Sequence, residues 1–376
     1  MRIRFGDLVI GDIAKSYFQQ AFDKNWASEG DNVREFEEKF ASKFKCKHAI
    51  ATSSGTDADI VSCAALYDFG ANRGDEIIVP ALSFVATANS ILAAGFIPKF
   101  VDIEIETLNM DPSKIEEAIT GKTRAIMVVH TMGKPCEMDT IMELADAHGL
   151  KIIEDACEAH GATYKGKLAG TIGDMGAFSF YTAHQIVCGE GGMVVTDDDK
   201  IAEVVRSVKS HGRPPGSIFF DFQRVGFNSK MNDLEAALGL EGIHYFDGHF
   251  NRRKNNLYRM LELTEDLSDY CYFIKEEKHE KVSPHAFPLV LKDENHGRDR
   301  LYQYLESSGI QCKTLFGSLP TQHKAFKFLN HRYGDFPVSE YVGDNGLHFG
   351  MHQYLSDDDL DFISDRLHEY FKEFGK

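Results

Sequence analysis

The sequence predicts an α/β fold, a mostly parallel seven-stranded sheet flanked by helices, followed by a smaller C-terminal α+β domain. Three features carry that prediction. From about residue 48 to residue 200, short apolar runs rich in β-branched residues alternate with helix-like stretches. The runs are continuously apolar rather than alternating, as strands buried on both faces are. Beyond residue 245 the pattern changes to one long helical stretch and then a sparser mixture of strand and helix.

The elements follow in order. His48–Thr52 leads through SSGT into a helix predicted over Asp57–Tyr67, and Glu76–Pro80 precedes a helix over Phe84–Ala94. After Lys99–Ile103, Asp111 and Pro112 supply the N-cap and first position of a helix ending at Ile119. Ala125–His130 is followed by Asp139–His148, which Gly149 closes. Lys151–Asp155, Ala177–Tyr181 and Gly192–Thr196 complete the strands, and Gly212–Gly216 (GRPPG) reads as a surface loop. The amphipathic Asn232–Tyr245 continues through Asn251–Lys254 towards the second domain. The expected division is 1–245 and 246–376, with the N-terminal ~15 residues packing on the small domain. Within that domain His285–Leu291 reads as a strand, and Gly297–Ser308 and Asp357–Phe374 as helices.

Composition narrows the function. Of 376 residues, 41 are basic and 58 acidic, a net charge of −17 that argues against nucleic acid as partner. No apolar run is long enough to span a membrane, and the N-terminus lacks the features of a signal peptide. Seven scattered cysteines without a CxxC pair read as reduced thiols in a cytoplasmic protein, with no metal site.

In a sheet of this kind ligands bind beyond the carboxyl ends of the strands, so the residues ending each run matter most. Thr52–Thr56 opens a helix, where backbone N–H groups and hydroxyls suit a phosphate, although such residues equally serve as a plain cap. Glu154 and Asp155 end an apolar strand, where a carboxylate needs a donor or cation; a pyridinium nitrogen would be one. Equally, Asp155 caps the next helix and Glu154 faces solvent. His184 lies just past a third strand, before the glycine-rich Gly189–Gly192.

The ordered set SSGT, GDEIIVPALSFVATAN, FVDI, HTMG, IEDACEAHGA, GTIGD, FSFY with GEGGMV, and GFNSKMNDLEAALGL resembles the fold-type I sugar aminotransferases that depend on pyridoxal 5′-phosphate (PLP), the DegT/DnrJ/StrS group. The resemblance covers about residues 15–245 and is looser beyond. It implies that Ser54, Gly55, Thr56 and Ser179 hold the phosphate, that Phe84 stacks on the pyridine ring and that Asp155 pairs with the ring nitrogen. It also implies a homodimer with shared active sites, in which Asn228 reaches the neighbouring subunit's phosphate.

One departure decides the expected chemistry. The aminotransferases carry a lysine that forms the Schiff base with the cofactor; here that position is His184, and no lysine lies between Lys167 and Lys200. The same replacement marks a subgroup resembling NDP-4-keto-6-deoxyhexose 3-dehydratases, such as those acting on GDP-4-keto-6-deoxymannose. The resemblance implies a noncovalent PLP or pyridoxamine 5′-phosphate, glutamate as amino donor and a nucleotide-linked 4-keto-6-deoxy sugar as substrate. His184 would be the base that triggers loss of the C3 hydroxyl, and its conjugate acid can assist the departure. An iron–sulfur branch of this subgroup has cysteines after a GRD-like segment; here no cysteine occurs from 189 to 270, so no cluster is expected. Glu158 replaces the glutamine that touches the ring's phenolic oxygen, and would donate there only if protonated. His211, Lys230 and His352 are further candidates for the substrate. A sugar-nucleotide aminotransferase, or an inactive variant of one in which histidine replaces the lysine, and a noncatalytic binder that kept the fold, are the alternatives.

Overall fold

Alternate residues of a buried strand must be apolar on both sides, and here they are. In the computed structural model, which describes residues 2–216, 218–293 and 297–374, Ile77 and Val79 enter one apolar cluster with the helices Gly55–Ala65, Val85–Ala94 and Asp199–Val208. Ile78, between them, enters another with Met138–His148 on the opposite face.

The large sheet comprises β1 (His48–Thr52), β2 (Glu76–Pro80), β3 (Ile97–Val101), β4 (Thr123–Val129), β5 (Lys151–Asp155), β6 (Met175–Ser179) and β7 (Gly192–Thr196). Its order is β1-β7-β6-β5-β4-β2-β3. Strands β2 to β6 are parallel, whereas β7 runs antiparallel to both β6 and β1. The predicted mostly parallel sheet is therefore present.

Several predicted boundaries move, three of them for reasons the structure makes plain. β3 ends at Val101 because Asp102 leaves the sheet; its carboxylate accepts the N–H groups of Val338 and Ser339, at 2.9 Å each, and so anchors the helix Pro337–Asn345. β6 stops at Ser179, opposite Gly192, where the chain turns into the His184 loop. The helix expected over Asp111–Ile119 shrinks to a 3₁₀ turn, Pro112–Lys114, and one α turn, Ile115–Ala118, with Asp111 capping as predicted.

The helix Asp233–Leu263 opens on a capping box between Asn232 and Glu235 and runs 31 residues without a break through position 245. It leads to an antiparallel sheet of β8 (Cys271–Phe273), β9 (Ala286–Leu291), β10 (Cys312–Thr314) and β11 (Gly346–Gly350), in the order β8-β9-β11-β10. The helices Arg298–Ser307 and Asp357–Phe374 cover it. The N-terminus packs against this unit: Ile3 pairs with Ile310 and is buried in its core, and the Phe5 N–H donates to the Gln311 side chain at 2.9 Å. Among the described residues no helix is long and apolar enough to cross a membrane.

Candidate active site

The strand ends converge. After β1, Ser54 caps the helix Gly55–Ala65 by accepting the Asp57 N–H at 3.0 Å, leaving the first N–H groups of the helix free of intrahelical acceptors. Ser179, at the end of β6, lies so close to Gly55 that a β-carbon there would collide with the Ser179 side chain, so the glycine permits this approach. Ser54, Gly55 and Ser179 thus form one polar cradle, with Thr56 in the first helical turn. Ser229 joins it, donating to the Asp57 carboxylate at 2.9 Å. Its neighbour Asn228 is exposed and touches this chain through a backbone bridge to Ser210.

At the end of β5 the two carboxylates have separate tasks. Asp155 accepts the Thr87 hydroxyl at 2.8 Å and the Cys157 N–H at 3.2 Å, and Thr87 is held by Ser83. These bonds hold the carboxylate in place beyond the strand end. Glu154 does not face solvent, as one reading of the sequence allowed; it is fully buried. Its oxygens accept the N–H groups of Gly170, Ile172 and Gly173 at 2.6–2.8 Å and pair with His130 Nε2 at 2.9 Å. His130 Nδ1 in turn accepts the Cys136 N–H, which assigns the Nε2–H tautomer and makes that ring a donor to Glu154. The second carboxylate is thus a buried clasp for the Gly170–Gly173 turn behind the site. No sequence signal separated it from its neighbour.

A further acid, Asp59, is 1% exposed with an unpartnered Oδ1. Burial, and then the charge of Asp155, push its carboxyl well above the usual range. Asp59, Asp155 and Cys157 offer ligand atoms within 4.8 Å of one another, a grouping the sequence did not reveal.

His184 is buried, with no hydrogen-bond partner for Nδ1, and burial followed by the charges around it depresses its proton affinity well below that of a free imidazole. The segment carrying it is fixed by Arg253, which lies fully inside the protein and donates to the carbonyls of Ala183, His184, Pro284 and His285 at 2.9–3.4 Å. Beside His184 stand three residues that sequence reasoning missed. His285 lies 4.9 Å away, ring centre to ring centre, and His160 5.9 Å away. Lys313, on β10, acts electrostatically on His184, His285, His348 and Glu158, and its ammonium sits 4.3 Å over the Phe5 ring. His285 and Lys313 lie more than 100 residues from His184 in the chain, so no local motif could announce them.

Glu158 accepts the Met132 N–H at 2.7 Å through one oxygen and places the other 3.6 Å from His285 Nε2. Burial pushes its carboxyl up to about 8. Phe84, half exposed at the start of its helix, meets Phe316 edge to face, and the contacts run on through His348 and Phe5 to His285. His352 is buried near Arg4 and Arg253, with neither ring nitrogen bonded to a side chain. His211 is exposed with φ +63°, and Lys230 is half-buried.

Residues 10–368 match the DegT/DnrJ/EryC1/StrS aminotransferase family. The chain is 35% identical over 355 residues to a GDP-perosamine synthase of Caulobacter vibrioides, covering 93% of each. It is 31% identical to the GDP-4-keto-6-deoxy-D-mannose 3-dehydratase of Escherichia coli O55:H7, covering 95% of this chain and 97% of that one. A crystal structure of GDP-4-keto-6-deoxymannose-3-dehydratase with a trapped PLP-glutamate geminal diamine superposes with a TM-score of 0.89 at 30% identity, over 97% of this chain and all of that one.

Proposed function

Because the chain belongs to the DegT/DnrJ/EryC1/StrS aminotransferase family of PLP-dependent, sugar-modifying enzymes, and carries His184 where the sugar aminotransferases carry their lysine, we propose that it is a 3-dehydratase of a nucleotide-linked 4-keto-6-deoxy sugar. The observation that carries this reading is the imidazole of His184, buried in the site formed by the strand ends, where burial lowers its proton affinity. Similarity to named relatives does not carry it, since a synthase and a dehydratase match comparably.

The residues present fit the cofactor. The N-terminus of Gly55–Ala65 with Ser54, Thr56 and Ser179 offers N–H and hydroxyl donors for a phosphate. Asp155, oriented by Thr87 and the Cys157 N–H, would keep a pyridine nitrogen protonated. Phe84 offers an exposed ring face for stacking. When bound, the cofactor supplies an electron sink for the carbon undergoing proton loss. His184 does the protein's part of that step: its ring nitrogen, uncharged at neutral pH, takes the proton. Without a lysine in the His184 loop, binding is noncovalent, with pyridoxamine 5′-phosphate as the working form and glutamate as amino donor.

Dimerisation belongs to the same reading. Ile218, Phe220, Phe222 and Val225 are each more than half exposed on the segment leading to Asn228. A second subunit covering that surface would bring Asn228 to its neighbour's phosphate cradle, with Lys230 and His211 near the sugar nucleotide. His352 would be a further substrate contact in this reading. The reading includes no iron–sulfur cluster and a cytoplasmic location.

A second reading, a sugar aminotransferase, is favoured by one observation: burial lowers the proton affinity of Lys313, which makes it a better nucleophile at the site. Incubating the protein with pyridoxamine 5′-phosphate, glutamate and a GDP-linked 4-keto-6-deoxy sugar separates the readings. Ammonia with a 3-deoxy product supports dehydration. A 4-amino sugar, or a borohydride-trapped cofactor adduct on Lys313, supports transfer, and no turnover across GDP-, CDP- and dTDP-linked sugars favours a binder.

A further inference from the structure

Elimination of a hydroxyl needs two proton movements, one off carbon and one onto the departing oxygen, and two groups whose environments push their proton affinities apart are suited to the two roles. The site contains such a pair. His184 is held uncharged and free of side-chain partners, while Glu158 is held as a neutral acid near neutral pH by burial. His285 stands between them: its Nε2 is 3.6 Å from Glu158 Oε1 and its ring centre 4.9 Å from that of His184.

Several features show that His285 is placed rather than merely packed. Its Nδ1 is buried without a partner, as is Nδ1 of His184. Arg253 donates to the carbonyls of both residues, so one guanidinium fixes the spacing of the two backbones. The titratable and charged groups facing the pair are Glu158 and His160 from the segment after β5, Tyr181 from the His184 loop, Arg253 from the long helix, Lys313 from β10 and His348 from β11. Of these, Glu158 is the acid, and its nearest titratable neighbour in the cluster is His285.

We propose that His285, backed by Glu158, is the general acid of the reaction, acting opposite His184 as the base. The assignment rests on the dehydratase reading above. The protons balance. His184 gains the one lost from carbon; Glu158 Oε1–H passes one to His285 Nε2 while His285 Nδ1–H gives one to the departing C3 oxygen, which leaves as water. The site then holds an imidazolium at His184 and a carboxylate at Glu158. Return of the proton from His184 to Glu158 through His285 resets it. Hydrogen bonds of this kind are often long before substrate binds and tighten on binding.

The test uses H285F, E158Q, the double variant and, should H285F fail to fold, H285Q. In cofactor-free protein with isotope-labelled histidine, NMR titration should show the His285 midpoint moving in E158Q and the His184 midpoint moving in H285F. In the loaded enzyme, kcat for elimination should fall about 100-fold in each single variant, the size of a general-acid contribution, and no further in the double variant. Exchange of a deuterium label from the pyridoxamine methylene should continue, because His184 remains. Wild-type kcat in H285F, additive losses in the double variant, or joint loss of exchange and elimination would each overturn the assignment. If the wild type eliminates nothing, the dehydratase reading fails by itself. The titration still decides the dyad: an E158Q protein whose His285 midpoint stays put refutes it.

Discussion

Replacing Glu154 by Gln should cost this protein a large part of its stability although the residue touches no ligand. The carboxylate accepts four hydrogen bonds in a fully buried position, from Gly170, Ile172, Gly173 and His130. An amide keeps one accepting oxygen, which can serve Ile172 and Gly173. Its NH₂ then faces the Gly170 N–H and the His130 Nε2–H, donor against donor. His130 cannot escape by changing tautomer, because its Nδ1 already accepts from Cys136. Two hydrogen bonds to a charged acceptor are lost, each worth about 1.5–3 kcal/mol, for a total of about 3–6 kcal/mol. Against a typical stability of about 5–15 kcal/mol that is severe. Urea unfolding of the two proteins measures it as a fall in midpoint at constant slope. Asp155 is the next residue, so pyridoxamine phosphate affinity, followed by absorbance, should weaken as well. A loss below about 1 kcal/mol would refute the reasoning, since it would mean the N–H groups of the Gly170–Gly173 turn find other acceptors.

Three more outcomes follow from the same geometry. Asp59 is buried with its proton affinity raised, so its unfavourable effect on folding is absent below the unfolded carboxyl range and grows as pH rises through that range towards the folded value; D59N should therefore gain stability over wild type between pH 5 and pH 8, and a difference independent of pH would contradict this. Arg253 is 1% exposed and its guanidinium contacts carbonyls and the Gln353 side chain, so R253M, which leaves those buried acceptors without a donor, should destabilise the fold by about 1–3 kcal/mol in thermal or denaturant unfolding; retention of wild-type stability would show that the carbonyls are satisfied without it. H184K restores a primary amine at the loop and should produce a new cofactor absorbance band and a borohydride-trapped adduct at position 184, with elimination suppressed; unchanged elimination would remove His184 from the role of base.

The sheet was legible in the sequence because its strands are short, apolar on both faces and separated by capped helices; β1, β2, β5 and β7 lie where the pattern put them. Boundaries failed where tertiary contacts decide them, as at Asp102, whose carboxylate belongs to a helix more than 200 residues away. The convergence of Ser54, Gly55, Ser179 and Asp155 was readable because residues that end neighbouring strands of such a sheet lie side by side. The distinct task of Glu154 was not, because two adjacent carboxylates look alike until the Gly170–Gly173 turn folds onto one of them. His285, His348 and Lys313 were invisible for a related reason: they lie on or beside a second sheet, and only tertiary packing brings them to the neighbourhood of His184. Arg253 reads in sequence as one of several basic residues on a polar helix, yet it is the buried clamp of the site.

The most direct test of the account is product analysis with pyridoxamine 5′-phosphate, glutamate and a GDP-linked 4-keto-6-deoxy sugar. Ammonia release should be matched by a 3-deoxy-4-keto product, with no lysyl adduct after borohydride. Accumulation of a 4-amino sugar, with the cofactor trapped on a lysine, would contradict it.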